Sequence, residues 1–171
     1  SGAISVVKNG EIIINKGYGM ANQDTETHNN PNTVFDIGSN TKQFTSTAIL
    51  KLVELGKLEL NDPLSTFFKQ LPEDKQNITI HQLLTHTAGF TEAIGNDFEQ
   101  IPTHQFFEKL FATQLLFEPG EKYSYSNVGY SILGRIIELV SGQSYEGFLN
   151  EYLFTSAGMK HTGYLLPEWV A

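Results

Sequence analysis

Phe35-Asp36-Ile37-Gly38-Ser39-Asn40-Thr41-Lys42 is the stretch that decides the reading of this chain, because a long amphipathic helix pattern begins inside it. From about Thr41 to Leu55, the residues Phe44, Ala48, Ile49, Leu52 and Val53 form one apolar stripe, and Gly56 stands where such a helix stops. Ser39 and Lys42 are three residues apart at its first turn, which puts hydroxyl and amine on one face. There an amine can help deprotonate a hydroxyl and make a nucleophile, beside the positive end of a helix. The same two residues also read as a helix-capping serine and a solvated lysine. A lysine at a helix N-terminus is, however, unfavourable by about 0.3–1 kcal/mol, which suggests a functional reason for it. Spacing alone is weak evidence: 11 Ser and 10 Lys give about 0.6 such pairs by chance. Ser5-Val6-Val7-Lys8 repeats the spacing in a strand pattern, where residues three apart point to opposite faces, so it is no dyad.

The 171 residues suffice for one ordinary domain, and 40% hydrophobic with 12% aromatic residues argues for a packed core rather than disorder. A net charge of −8 argues against nucleic acid and anionic membrane surfaces as partners and fits a soluble chain. With no cysteine there is no disulfide, no thiolate metal site and no cysteine nucleophile. No apolar run is long enough for a membrane span.

The element order is hairpin, helix with the Ser-x-x-Lys spacing, then a run of helices, an α+β arrangement without βαβ alternation. Ala3–Lys8 and Glu11–Asn15 are strands around an Asn9-Gly10 hairpin turn. Residues 19–34 are polar and read as a loop. Asp62 is expected to cap a short helix with Pro63 at its first position, and Thr79 to cap another from Ile80 to about Thr85. Residues 88–102 read as irregular, followed by helices at about Thr103–Ala112, Val128–Val140 and Ser144–Leu153.

Two further groups could carry chemistry. In Tyr125-Ser126-Asn127 a phenol beside an amide offers a general base and an orienting hydrogen bond, although an aromatic anchor beside an Asn cap has the same sequence. His86, at a helix end in Leu83-Leu84-Thr85-His86-Thr87-Ala88-Gly89-Phe90, has no acidic partner at a recognisable spacing and reads as a structural cap or network residue. His28, His81, His104 and His161 are scattered, so neither metal nor other cofactor is expected.

Taken in order, these blocks resemble the serine β-lactamase-related superfamily of class C type, which also holds penicillin-binding D,D-peptidases, D-aminopeptidases and esterases. The resemblance covers nearly the whole chain. Val6 to Gly10 with Gly17-Tyr18-Gly19 is similar to its first hairpin, Thr33 to Thr45 to its Ser-x-x-Lys block, and Tyr125-Ser126-Asn127 after Pro119-Gly120 to its Tyr-x-Asn block. Leu55 to Leu64, Leu83 to Phe90 and Gly158 to Gly163 resemble its structural segments. The resemblance implies a β-lactamase/transpeptidase-like fold, with a sheet hairpin over 1–19, a nucleophile helix over 39–56 and a mainly helical region over 57–165. It implies that Ser39 is acylated by an amide or ester and that Lys42 is bonded to it. Tyr125 would act as general base, alone or with Lys42, Asn127 would orient Lys42 and substrate, and the Ser39 N–H would be one oxyanion donor. The residues themselves give no location, and the resemblance alone favours a periplasmic or secreted one.

The family's third motif, Lys-Thr-Gly or His-x-Gly, lies on a strand near its C-terminus; the letters His161-Thr162-Gly163 fall in the segment that follows the helical region, and no such strand is read after it. The expectation is therefore a single incomplete domain, a fragment impaired in turnover, with exposed sheet edges through which copies could associate. The other reading is a ligand-binding or scaffold member of the fold without turnover. Residues 90–102 and the stretch around Tyr123 are expected to line one side of the pocket, and peptidase or esterase activity ranks above β-lactam hydrolysis.

Overall fold

The computed structural model describes residues 1–96, 99 and 101–164, and the chain divides into two compact units, Ser1–Gly38 and Ser39–Ala171. Asp97, Phe98 and Gln100, which fall in the stretch read as irregular, lie outside the described residues.

In the first unit, β1 (Gly2–Lys8) pairs antiparallel with β2 (Glu11–Tyr18). Asn9 and Gly10 have φ of 53° and 83°, the left-handed pair that a two-residue hairpin turn requires. The second strand outruns its expected end at Asn15, because Lys16, Gly17 and Tyr18 continue to pair with Ile4, Ala3 and Gly2. Val6 faces Ile14 and Val7 faces Ile12, so the register shifts by a bulge there. Gly17 must be glycine, since a Cβ would run into the Asn29 backbone. Residues 19–34 are not wholly loop: Met20–Asn22 (β3) pairs with Thr27–His28 (β4). Their turn is closed by Asn22, whose Oδ1 accepts from the Asp24 and Thr25 amides at 2.9 and 3.1 Å. Strands this short leave no readable alternation, so composition alone misses them.

The second unit is helical and is organised around α4 (Asn127–Ser141), which packs against α1 (Thr41–Glu54), α2 (Ile80–Leu84) and α5 (Tyr145–Leu149). The reason is its apolar face: Val128, Ile132, Leu133, Ile136 and Ile137 recur at helical spacing and are buried. Ala48, Ile49 and Leu52 of α1 are fully buried in the same core. Gly142, at φ 73°, ends α4 in the left-handed conformation. Residues Thr103–Ala112 form α3 as expected, with Phe107 and Phe111 packed beside Phe68. The α2 start is a full capping box: the Thr79 hydroxyl accepts from the Gln82 amide at 3.2 Å, and Gln82 Oε1 accepts from the Thr79 amide at 2.9 Å.

Two further expectations, both in the second unit, need correction. Asp62 does not cap a helix starting at Pro63: Pro63 is extended (φ −78°, ψ 155°), bridges to Thr79, and only a 3-10 turn at Leu64–Thr66 follows. Asp62 instead accepts from the Glu59 amide at 2.7 Å, a local turn that competes with the cap. The last helix leaves α geometry after Leu149 and continues as a π turn at Asn150–Phe154.

Leu133→Ala should lower unfolding free energy by about 2–5 kcal/mol in urea titration, from lost burial and a cavity. Leu139→Ala, on the exposed face of the same helix, should change it by less than about 0.5 kcal/mol.

Candidate active site

Ser39 sits in a 3-10 turn (Gly38–Asn40) that runs straight into α1, and Lys42 lies in the first turn of that helix. Asn40 holds the cap position and makes no side-chain cap bond, so the Ser39 hydroxyl is not spent on capping. Ser39 Oγ accepts from Lys42 Nζ at 3.1 Å and from the Tyr125 hydroxyl at 2.7 Å. Lys42 Nζ also donates to Asn127 Oδ1 at 2.6 Å, a charge-assisted bond between residues far apart in the chain. All four residues singled out in the sequence thus converge on one cluster. The same ammonium lies 4.8 Å from the Tyr125 ring centre and 5.5 Å from that of Tyr130, within cation–π range of both.

Backbone bonds from the loop after α2 hold the Tyr125-Ser126-Asn127 segment in place. The Ser124 amide donates to the His86 carbonyl at 2.9 Å, and the Asn127 amide donates to the Glu92 carbonyl at 2.8 Å. Ser126, only 5% exposed, donates its hydroxyl to the Thr91 carbonyl at 2.8 Å and accepts from the Gly129 amide at 3.0 Å. Ser126 is therefore the cap of α4. Asn127 is its first helical residue, with its side chain left to meet Lys42.

His86 is the network residue of this loop. Its backbone is left-handed (φ 58°), and its Nδ1 accepts from the Ser126 amide at 3.1 Å. The imidazole stacks 4.6 Å from the Tyr125 ring and 5.0 Å from the Tyr130 ring, with Tyr123 edge-on at 5.8 Å. Burial, with the nearby Lys42 charge, holds His86 below its usual pKa of 6.5. Burial pushes the Tyr125 phenol up, and Glu92 adds to that. The bonds to Lys42 and Ser39, with the Lys42 charge, outweigh both, so the phenol titrates below 10.

Tyr130 was not singled out from the sequence. Its hydroxyl donates to the Leu84 carbonyl at 3.0 Å and meets Ser46 Oγ at 3.1 Å. The available signal was spacing: Tyr130 is one turn beyond Asn127, as Ser46 is beyond Lys42. Among the described residues no three His, Asp or Glu side chains are grouped to hold a metal ion. A separate open groove of ≈ 470 Å³, between α3 and Gln70 with Pro72, shares no lining residue with the cluster. The arrangement offers one hydroxyl flanked by a cation and an acidified phenol, which suits proton removal from oxygen.

Four similarities to known proteins accompany this fold. The family model described as Beta-lactamase matches residues 1–169. PbpX of Bacillus subtilis, which carries the name of a penicillin-binding protein, is 40% identical over 165 residues, covering 96% of this chain and 41% of that protein. The octameric penicillin-binding protein homologue from Pyrococcus abyssi superposes with a TM-score of 0.80 at 35% identity, covering 92% of this chain and 39% of that one. A class C β-lactamase superposes with a TM-score of 0.83 at 28% identity, over 93% of this chain and 44% of that enzyme. The chain thus spans about two fifths of the length of these relatives.

Ser126→Ala should lower stability by roughly 1–2 kcal/mol, because it removes the α4 cap and the bond to Thr91 together. Ser126→Thr, which keeps the hydroxyl, should recover most of that loss in the same urea titration.

Proposed function

This chain belongs to the Beta-lactamase family, and we propose that in it Ser39 is the nucleophile of a serine hydrolase acting on an amide or ester. The family is one of serine hydrolases of the β-lactamase and penicillin-binding-protein kind, with a small antiparallel sheet and a mostly helical region in a β-lactamase/transpeptidase-like fold. The observation that carries the proposal is the position of Ser39 Oγ, at 3.1 Å from Lys42 Nζ and 2.7 Å from the Tyr125 oxygen.

In the proposed reaction, Tyr125 as phenolate takes the Ser39 proton while Oγ forms a bond to the substrate carbonyl carbon. The Lys42 charge stabilises the phenolate, and Asn127 fixes the position of Lys42. The Ser39 N–H, at the N-terminal end of α1, donates to the oxyanion. The tetrahedral species collapses as the carbon–nitrogen or carbon–oxygen bond breaks, and the leaving group takes the proton from Tyr125. Water then attacks the Ser39 ester, giving its proton to Tyr125, and the released Ser39 oxygen recovers it. Esters and peptide-like amides are the favoured substrate class, ahead of β-lactams.

Labelling of the full-length protein with a fluorophosphonate, read by intact mass, tests the reading. An adduct that maps to Ser39 and is lost in Ser39→Ala is expected; an unlabelled wild type would favour a ligand-binding member of the fold. Tyr125→Phe should lower kcat about 10²–10⁴-fold with little change in KM. In the wild type, kcat/KM should rise with pH as Tyr125 loses its proton, with an inflection below 10, and that limb should vanish in Tyr125→Phe.

A further inference from the structure

His86 touches neither Ser39 nor any reacting atom of the proposed chemistry, yet it meets the general-base segment on two sides. Its carbonyl accepts from the Ser124 amide at 2.9 Å, and its Nδ1 accepts from the Ser126 amide at 3.1 Å. These two bonds bracket Tyr125, whose ring also stacks on the imidazole at 4.6 Å. A ring nitrogen that accepts from a backbone N–H carries no hydrogen, so the neutral ring keeps its proton on Nε2. A proton added at Nδ1 turns that acceptor into a donor facing a donor, and the Ser126 bond is lost. The ring also gains a positive charge near Lys42, whose ammonium already lies against Tyr125 and Tyr130.

We propose that His86 is a positioning residue for Tyr125, and that its neutral imidazole clamps Tyr125 against Ser39 while its protonation releases the clamp. The inference rests on the reading of Tyr125 as general base. Among the described residues, the titratable and charged groups packed around the ring are Lys42 from α1, Tyr123 and Tyr125 from the loop, and Tyr130 from α4. Glu92, whose carbonyl holds Asn127, acts on Tyr125. Lys42 and burial both oppose a second cation here, so the clamp opens only below pH 6.5. The left-handed backbone at His86 narrows the side chains that could replace it. Asparagine tolerates that conformation, does not titrate, and places an acceptor oxygen close to where Nδ1 stands.

The full-length protein, assayed for ester hydrolysis as wild type, H86N and H86A from about pH 5 to pH 10, tests this. Protonation of Tyr125 removes activity with one proton, and His86 should add a second below its own pKa. The wild type should therefore fall more steeply than H86N at the acid end, while H86N stays within about threefold of it at neutral pH. H86A should lose about 10–100-fold in kcat with KM little changed, as expected for a misplaced base. Equal acid slopes in wild type and H86N, or an H86A that matches wild-type kcat, would overturn the proposal. The Ser126 amide resonance supplies a readout independent of turnover and of H86A folding. It should titrate below pH 6.5 in the wild type and stay flat in H86N, and a flat wild-type signal sinks the clamp. Failure of the fluorophosphonate to label Ser39 sinks the nucleophile reading instead, so the two failures are distinguishable.

Discussion

The hydrogen bond from Lys42 to Asn127, at 2.6 Å, is the constraint on which the rest of the site depends. It joins the first turn of α1 to the first turn of α4, the two helices whose buried stripes share the core. An ammonium at a helix N-terminus is unfavourable by about 0.3–1 kcal/mol. A hydrogen bond to a charged group contributes about 1.5–3 kcal/mol, and the two tyrosine faces add attraction. The cluster therefore outweighs the local penalty. Lys42 is held where a surface lysine would be disfavoured, and its charge reaches Ser39 and Tyr125 together.

That arrangement is precise because every bond that ties the Tyr125 segment to the loop after α2 has a backbone group on at least one side. The carbonyls of His86, Thr91 and Glu92 accept in turn from Ser124, the Ser126 hydroxyl and Asn127, so one loop templates the other. Fixing each backbone residue costs about 1–2 kcal/mol of conformational entropy, which the hydrogen bonds between the two loops offset, and the fixed frame carries a phenol to within 2.7 Å of a serine oxygen. His86 adds an acceptor that titrates to this otherwise fixed frame.

The large features were legible in the sequence for clear physical reasons. Ile132, Leu133, Ile136 and Ile137 spell a buried helical face, and Asn9-Gly10 spells a turn, because both depend on local periodicity and φ preference. The approach of Ser39 to Lys42 was readable from helical spacing. Its meeting with Tyr125 and Asn127 was implied only by family resemblance, since a contact across 85 positions leaves no local trace. Other details depended on competition between near-equal local choices. Ser126 and Asn127 both cap helices well, and the bond to Thr91 decides for Ser126. Asp62 and Pro63 read as a helix start, but the bridge from Pro63 to Thr79 pulls the chain straight. Tyr130 left only its one-turn spacing from Asn127 as a trace, and the left-handed backbone of His86 follows from tertiary packing that its immediate sequence does not announce.

The central claim is that the Lys42 charge organises the cluster and acidifies the Tyr125 phenol. Its most direct test is titration of Tyr125, followed through its ring carbon resonance, in wild type and Lys42→Met. The account predicts a wild-type pKa below 10 and a rise in the variant, where burial and Glu92 act without the opposing cation. A Tyr125 that titrates at the same pH in both proteins would contradict it.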